Sequence, residues 1–155
     1  MGSVEPIGPY LEPVRKSVTV PRALAEAFEI FTARMASWWP TEKYSIHLGE
    51  TATCGIEPRA GGAVYEIARN GERCAWGCVL AWEPPRRFVL SWHPGRDPET
   101  AQEVELRFTP VPGGTRVDLE HRGWAKLGAR AAGTRAGYEG GWETVLGKHF
   151  VAACA

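Results

Sequence analysis

The sequence predicts an α+β domain in which an antiparallel sheet is covered by a long C-terminal helix, and three patterns carry that prediction. Residues 14–20 alternate apolar and polar side chains. From about residue 50 onward, short alternating segments are separated by strong turn signals, which is the signature of a meander. The final twenty residues carry an apolar stripe at spacings of three and four. Strand, helix, about six strands and then a helix is not the βαβ order of a parallel sheet.

Taken in order, residues 1–12 hold prolines and glycines without periodicity and read as a flexible arm, leaving 13–155 as one domain. Val14, Val18 and Val20 alternate with Arg15, Ser17 and Thr19, which predicts a strand buried on one face with Lys16 on its apolar side. Pro21 stops that strand, and Leu24, Ala27, Phe28, Phe31, Met35 and Trp38 recur at helical spacing up to Pro40. The turns that follow are Pro58 to Gly62, Asn70-Gly71, Pro84-Pro85, Pro94 to Pro98 and Pro112 to Gly114. Asn70-Gly71 is the clearest, because a tight type I′ hairpin needs positive φ at both central residues. Pro84-Pro85 has no amide proton to give a ladder, so it separates two apolar strands.

Val104, Leu106 and Phe108 oppose Glu103, Glu105 and Arg107, and Val117, Leu119 and His121 oppose Arg116, Asp118 and Glu120. One sheet face is therefore wet and the other covered. The cover is the stripe Tyr138, Trp142, Val145, Leu146, His149, Phe150 and Ala153. Gly137, Gly140, Gly141 and Gly147 fall in the same segment, each costing roughly 1 kcal/mol relative to alanine inside a helix. Either the helix begins near Gly141 or those positions meet a strand or ligand closely. A twisted sheet diverging from a long helix leaves a gap, so a cavity is expected.

Composition narrows the function. Lysine plus arginine and aspartate plus glutamate number 18 each, so no net field draws nucleic acid or anionic lipid. No window has the length of a membrane span and no signal-peptide pattern is visible, so a cytoplasmic protein is expected. Cys54, Cys74, Cys78 and Cys154 form no CxxC pair and are expected as reduced thiols. Cys74 and Cys78 lie roughly 13 Å apart along a strand, too far to share a metal. The four histidines are scattered without glutamate or cysteine at ligand spacing, which predicts no metal and no cofactor. Ser45, Ser91 and Thr144 lack the motif context of a hydrolase nucleophile.

Seven tryptophans are more aromatic bulk than a small core requires. Tyr65, Trp76, Trp82, Trp92, Phe108 and Trp142 are the candidate walls of a ligand cavity, the other reading being simple core packing. Every residue between Gly77 and Trp82 is apolar, so a bulge there would reverse which side chains face inward. His121 and His149 are candidates for binding a polar ligand group or for acid–base chemistry, or else are hydrogen-bonded, partly buried histidines.

The order and spacing of Trp38-Trp39-Pro40, Arg59-Ala60-Gly61-Gly62 with Tyr65-Glu66, Gly77, Glu83-Pro84-Pro85-Arg86, Ser91-Trp92, Gly114-Thr115-Arg116-Val117, Glu120-His121 and Gly141-Trp142 resemble one family. It is the activator of heat shock protein 90 ATPase homologue family, within the START-like, or SRPBCC, superfamily. The resemblance spans about residues 12 to 152. It implies a helix-grip fold, with six or seven curved antiparallel strands around a long C-terminal helix and an apolar cavity between them.

That fold hosts carriers, cyclases and chaperone regulators alike. The expected partner is a hydrophobic or aromatic small molecule. The alternatives are a cyclase- or hydrolase-like enzyme using the cavity histidines, and an interaction module or homodimer presenting Trp38-Trp39-Pro40 or Trp124 on its surface.

Overall fold

The computed structural model describes residues 8–155. Part of the expected N-terminal arm, residues 1–7, lies outside the described residues; within the rest of it, the Gly8 amide donates to the Ala125 carbonyl at 2.8 Å. Seven strands form one antiparallel sheet: β1 Val14–Val20, β2 Thr51–Ile56, β3 Ala63–Ala68, β4 Arg73–Glu83, β5 Arg87–Trp92, β6 Gln102–Val111 and β7 Gly114–Arg122. Their order is β1-β7-β6-β5-β4-β3-β2, so β2 to β7 run as a meander and β1 closes onto β7. The helix α1, Leu24–Phe31, fills one end of the concave face. It stops earlier than its apolar spacing predicts, because Thr32 turns its hydroxyl back onto the Phe28 carbonyl and Met35–Ser37 continues as a short 3₁₀ turn.

The C-terminal cover starts before all four of the glycines in question. α2 spans Ala131–Thr144, continues as a π-helical turn over Val145–Phe150 and ends in α3, Val151–Ala153. Trp142, Val145, Leu146 and Phe150 are buried against the sheet. Lys16, on the inner side of β1, reaches up to Glu139 at 3.1 Å and Glu143 at 2.7 Å, which ties the helix to the sheet edge.

The ambiguous stretch of β4 resolves through two irregularities. Its register against β3 slips between Val64 and Tyr65, and its register against β5 slips between Val79 and Ala81. The two shifts cancel, leaving Trp76 and Trp82 both on the concave side and Leu80 exposed. Gly77 sits where the strands crowd: a Cβ there would lie 1.8 Å from the Ser91 carbonyl oxygen, so no larger residue fits without moving β5.

The convex face is closed by charge rather than by a second layer. Glu105, nearly buried, accepts from Arg87 at 2.7 Å, Arg107 at 2.6 Å and Arg122 at 2.6 Å. The concave aromatic residues divide into two groups. Phe28, Phe31, Trp38, Trp82, Phe88, Phe108 and Phe150 interlock as a solid core under α1. Trp39, Trp76, Trp92 and Trp142 form the second group at the opposite end.

Candidate functional site

The second aromatic group borders open space, although its rings are themselves largely covered, with Trp39 at 7%, Trp76 at 1%, Trp92 at 4% and Trp142 at 3% exposure. Trp39, Trp76, Trp92 and Trp142 wall a cleft of about 630 Å³ between the sheet and α2, within the range of small-molecule sites. The helix contributes its face at positions 133, 134, 137, 138, 141, 142 and 145, the periodicity of one side of an α-helix. Three of these, Gly133, Gly137 and Gly141, are one turn apart. An added Cβ would meet nothing within 4 Å at Gly133 or Gly137, and only the Tyr44 ring, at 3.4 Å, at Gly141. These glycines are therefore not places where strand and helix touch; their missing side chains are what keeps the cleft open.

The tryptophans present rings, not donors, to this space. Trp39 donates to the Tyr44 carbonyl at 2.8 Å, Trp76 to Glu66 at 2.6 Å, Trp92 to the Tyr138 hydroxyl at 3.1 Å, and Trp142 to His121 Nδ1 at 2.9 Å. With all four indole N–H groups satisfied by the protein, what these residues offer a ligand is the small part of each ring left uncovered, suited to apolar contact rather than hydrogen bonding. At the mouth stand Lys43 and Arg96, both exposed and without an ion-pair partner among the described residues.

One rim is the segment from Lys43 to Ile46, and a single buried carboxylate holds it. Glu66, on the inner face of β3 and fully buried, accepts from the Ile46 amide at 2.6 Å, the His47 amide at 3.0 Å, His47 Nδ1 at 2.7 Å, the Thr51 hydroxyl at 3.2 Å and the Trp76 indole. Burial alone would raise its pKa; the donors from Ile46, Trp76 and His47 outweigh that and hold it below the ordinary carboxylate range. The same contact raises His47 above the usual histidine value.

The signs define a pH window. The lowered Glu66 contributes stability that is present above the unfolded carboxylate value and is lost as pH falls through its folded value. The raised His47 contributes stability that is full below about pH 6.5 and is lost as pH rises through its folded value. We expect His47→Asn to remove part of the decline in melting temperature as pH rises above about 6.5. Superimposable pH profiles for the two proteins would contradict this.

The residues singled out in the sequence are dispersed. Trp76, Trp92 and Trp142 meet in the cleft. Trp82 and Phe108 belong to the solid core, packed on Phe28 at 5.3 and 5.1 Å between ring centroids. Tyr65 is on the convex face with the Arg73 guanidinium 4.0 Å over its ring.

His121 lies behind Trp142, not in the cleft lining, and is completely buried. Because the indole can only donate, Nδ1 accepts and Nε2–H donates to Gln102 Oε1 at 3.2 Å, and burial pushes the pKa down to about 3. His121 is thus a neutral structural link. His149, seven residues beyond Trp142 on the helix, is half-buried and not in the lining, so the two imidazoles do not form an acid–base pair.

Trp38, Trp39 and Trp124 are buried as well, which removes them as an exposed interaction patch. The cleft residues that escaped the sequence reading are Trp39, Tyr44, Arg96, Gly133 and Tyr138. Of these, Tyr138, four residues before Trp142 on the same apolar stripe, and Gly133, four residues before Gly137, had a usable signal.

Comparison with known proteins agrees with this architecture. The family model described as Activator of Hsp90 ATPase homolog 1-like protein matches residues 23–155. Among solved structures, the anthrahydroquino-gamma-pyrone synthase Txn09, complexed with SUM, is 32% identical, with 94% of this chain and 96% of that one covered and a TM-score of 0.59. Bacillus halodurans protein BH1534 is 15% identical with a TM-score of 0.65 over 94% of this chain and 99% of its own. A Rhodobacter sphaeroides protein is 20% identical with a TM-score of 0.63, covering 93% and 91%. The last two likenesses concern the fold alone. No curated protein matches the sequence.

Proposed function

The chain belongs to the Activator of Hsp90 ATPase homolog 1-like family, and from that premise we propose that it binds a small, largely planar aromatic molecule in the cleft between the sheet and α2. The observation that carries this reading is the pairing of four tryptophan rings with a helix face left bare at Gly133 and Gly137. A filled core has no use for successive glycines on one helix face, since each weakens the helix and leaves the space beside it unfilled. Lys43 and Arg96 at the mouth favour a ligand with an acidic group at one end, held outward while its rings enter.

A second reading, ring closure of an aromatic precursor, is favoured by one observation: the 32%-identical solved structure is a synthase. In such a reaction the cleft would act by holding the substrate folded, which needs few catalytic groups. His121 and His149 have no part in it. The Tyr138 hydroxyl, which accepts from Trp92, is one of the groups lining the cleft that could hold a proton, beside Tyr44 and Lys43.

Native mass spectrometry of freshly purified protein, followed by titration with planar aromatic acids under tryptophan fluorescence, tests the proposal. Saturable quenching at one ligand per chain is expected, lost in Trp92→Ala and weakened in Arg96→Ala. Fluorescence unchanged across chemically varied aromatic acids, with no copurified mass, would refute it. Conversion of the bound molecule, rather than its unchanged release, would select the second reading.

A further inference from the structure

On the far side of Glu66 from the cleft, the fold assembles a group of side chains that are distant in sequence. His47 comes from the segment before β2, Glu72 from the Asn70-Gly71 turn, and Cys74 from the start of β4. Their ligand atoms all lie within 4.8 Å of one another. His47 Nε2 is 3.6 Å from Glu72 Oε2, and Cys74 Sγ is 3.7 Å from Glu72 Oε1. Tetrahedral coordination at ordinary zinc–nitrogen, zinc–oxygen and zinc–sulfur bond lengths sets ligand atoms about 3.3–3.6 Å apart.

The second observation is the orientation of the histidine. Nδ1 faces the buried Glu66 carboxylate at 2.7 Å, and Glu66 is itself held by the Ile46 and His47 amides and by Trp76. In the neutral ring the proton therefore sits on Nδ1, and the free lone pair is on Nε2, on the side of Glu72 and Cys74. A carboxylate behind the non-ligating nitrogen is the usual support of a metal-binding histidine, fixing its tautomer and raising its basicity. Arg73, the basic residue between Glu72 and Cys74, is directed to the other face of the sheet, onto Glu57 and the Tyr65 ring. Among the described residues, no lysine or arginine lies within ion-pair distance of Glu72.

We propose that His47 Nε2, the Glu72 carboxylate and the Cys74 thiolate bind a zinc-like divalent cation, with Glu66 as the positioning residue of the histidine. Nitrogen, sulfur and oxygen donors in one set suit zinc and cobalt and do not suit magnesium or calcium, which take oxygen ligands. Three protein ligands leave a fourth position for water. Binding replaces the thiol proton and, where the His47 ring is protonated, its Nε2 proton, both passing to solvent, so at least one proton leaves with each ion bound.

The test is a titration of reduced, metal-free protein with cobalt(II), followed by displacement with zinc(II). Saturation at one ion per chain with a cobalt–thiolate charge-transfer band is expected, and zinc should abolish the band. Cys74→Ser should eliminate the band and weaken zinc binding at least tenfold, and Glu72→Gln, at an exposed turn, should weaken it without touching the core. Cys78→Ser, on the same strand outside the group, should leave both unchanged. No saturation below millimolar metal, or a thiolate band that survives Cys74→Ser, would overturn the proposal.

Discussion

Replacing Gly137 by leucine is expected to close the cleft while leaving the protein at least as stable as before. The position lies inside α2, where leucine is favoured over glycine by nearly 1 kcal/mol, and a Cβ there meets no protein atom within 4 Å. The new side chain must then project into the space lined by Trp76, Trp92 and Trp142. A ligand forced to share that space meets the overpacking cost of a filled core, about 1–3 kcal/mol, or roughly a 5- to 150-fold loss of affinity.

Gly140→Ala supplies the control. Gly140 is also in α2 and also faces open space, but it is not part of the lining. It should raise stability by up to about 1 kcal/mol and leave binding unchanged. Thermal melts and fluorescence titrations of the two variants separate helix propensity from occlusion. If Gly137→Leu binds an aromatic ligand as tightly as the parent chain, the glycine face is not the ligand's wall.

Glu66→Ala should be the most damaging single substitution at the site, at about 3–5 kcal/mol, because it strips the partner from several buried donors at once. The Ile46 and His47 amides and the buried Trp76 indole would lose an acceptor that is itself fully buried. For a domain of this size the melting temperature should fall by roughly 10 °C. Glu66→Gln keeps the shape but turns an amide NH₂ toward donors, so an intermediate loss is expected.

The consequence reaches the cleft, since Lys43 to Ile46 form its rim and Trp76 its floor. Urea unfolding gives the free energies, and amide exchange of Ile46 and His47 reports the rim directly. A loss below about 1 kcal/mol with protected Ile46 and His47 amides would mean that something other than Glu66 holds this segment.

Much of the architecture is written in short stretches of the chain. The alternation in β1, the turn at Asn70-Gly71, the double proline between β4 and β5 and the stripe through Trp142 and Phe150 each report a local preference that needs no distant partner to be read. The turn has positive φ at Gly71 and not at Asn70, and so is not the type I′ turn expected. The candidate site was legible only in part. Trp76, Trp82 and Trp92 have the same chemistry and reach the same sheet face, yet Trp82 packs on Phe28 of α1 whereas Trp92, packed on Tyr138 and Trp142, borders the cleft left beside the helix glycines. Nothing within residues 76–92 records that difference. The paired histidines failed for a similar reason: periodicity placed His121 on the inner face, but an indole donor and complete burial make it neutral and inert.

Period and turn chemistry along the chain were enough to establish an antiparallel sheet under a C-terminal helix, and the helix glycines already marked a departure from a closed core. Which aromatic rings border a cleft, which histidine meets a carboxylate, and that residues 47, 72 and 74 share one corner emerged only from the folded arrangement. The reason is physical. Strand and helix formation answer to neighbours a few residues away, whereas a cleft is the volume that distant elements fail to fill, and a ligand set is the meeting of side chains whose separation in sequence carries no information about their separation in space.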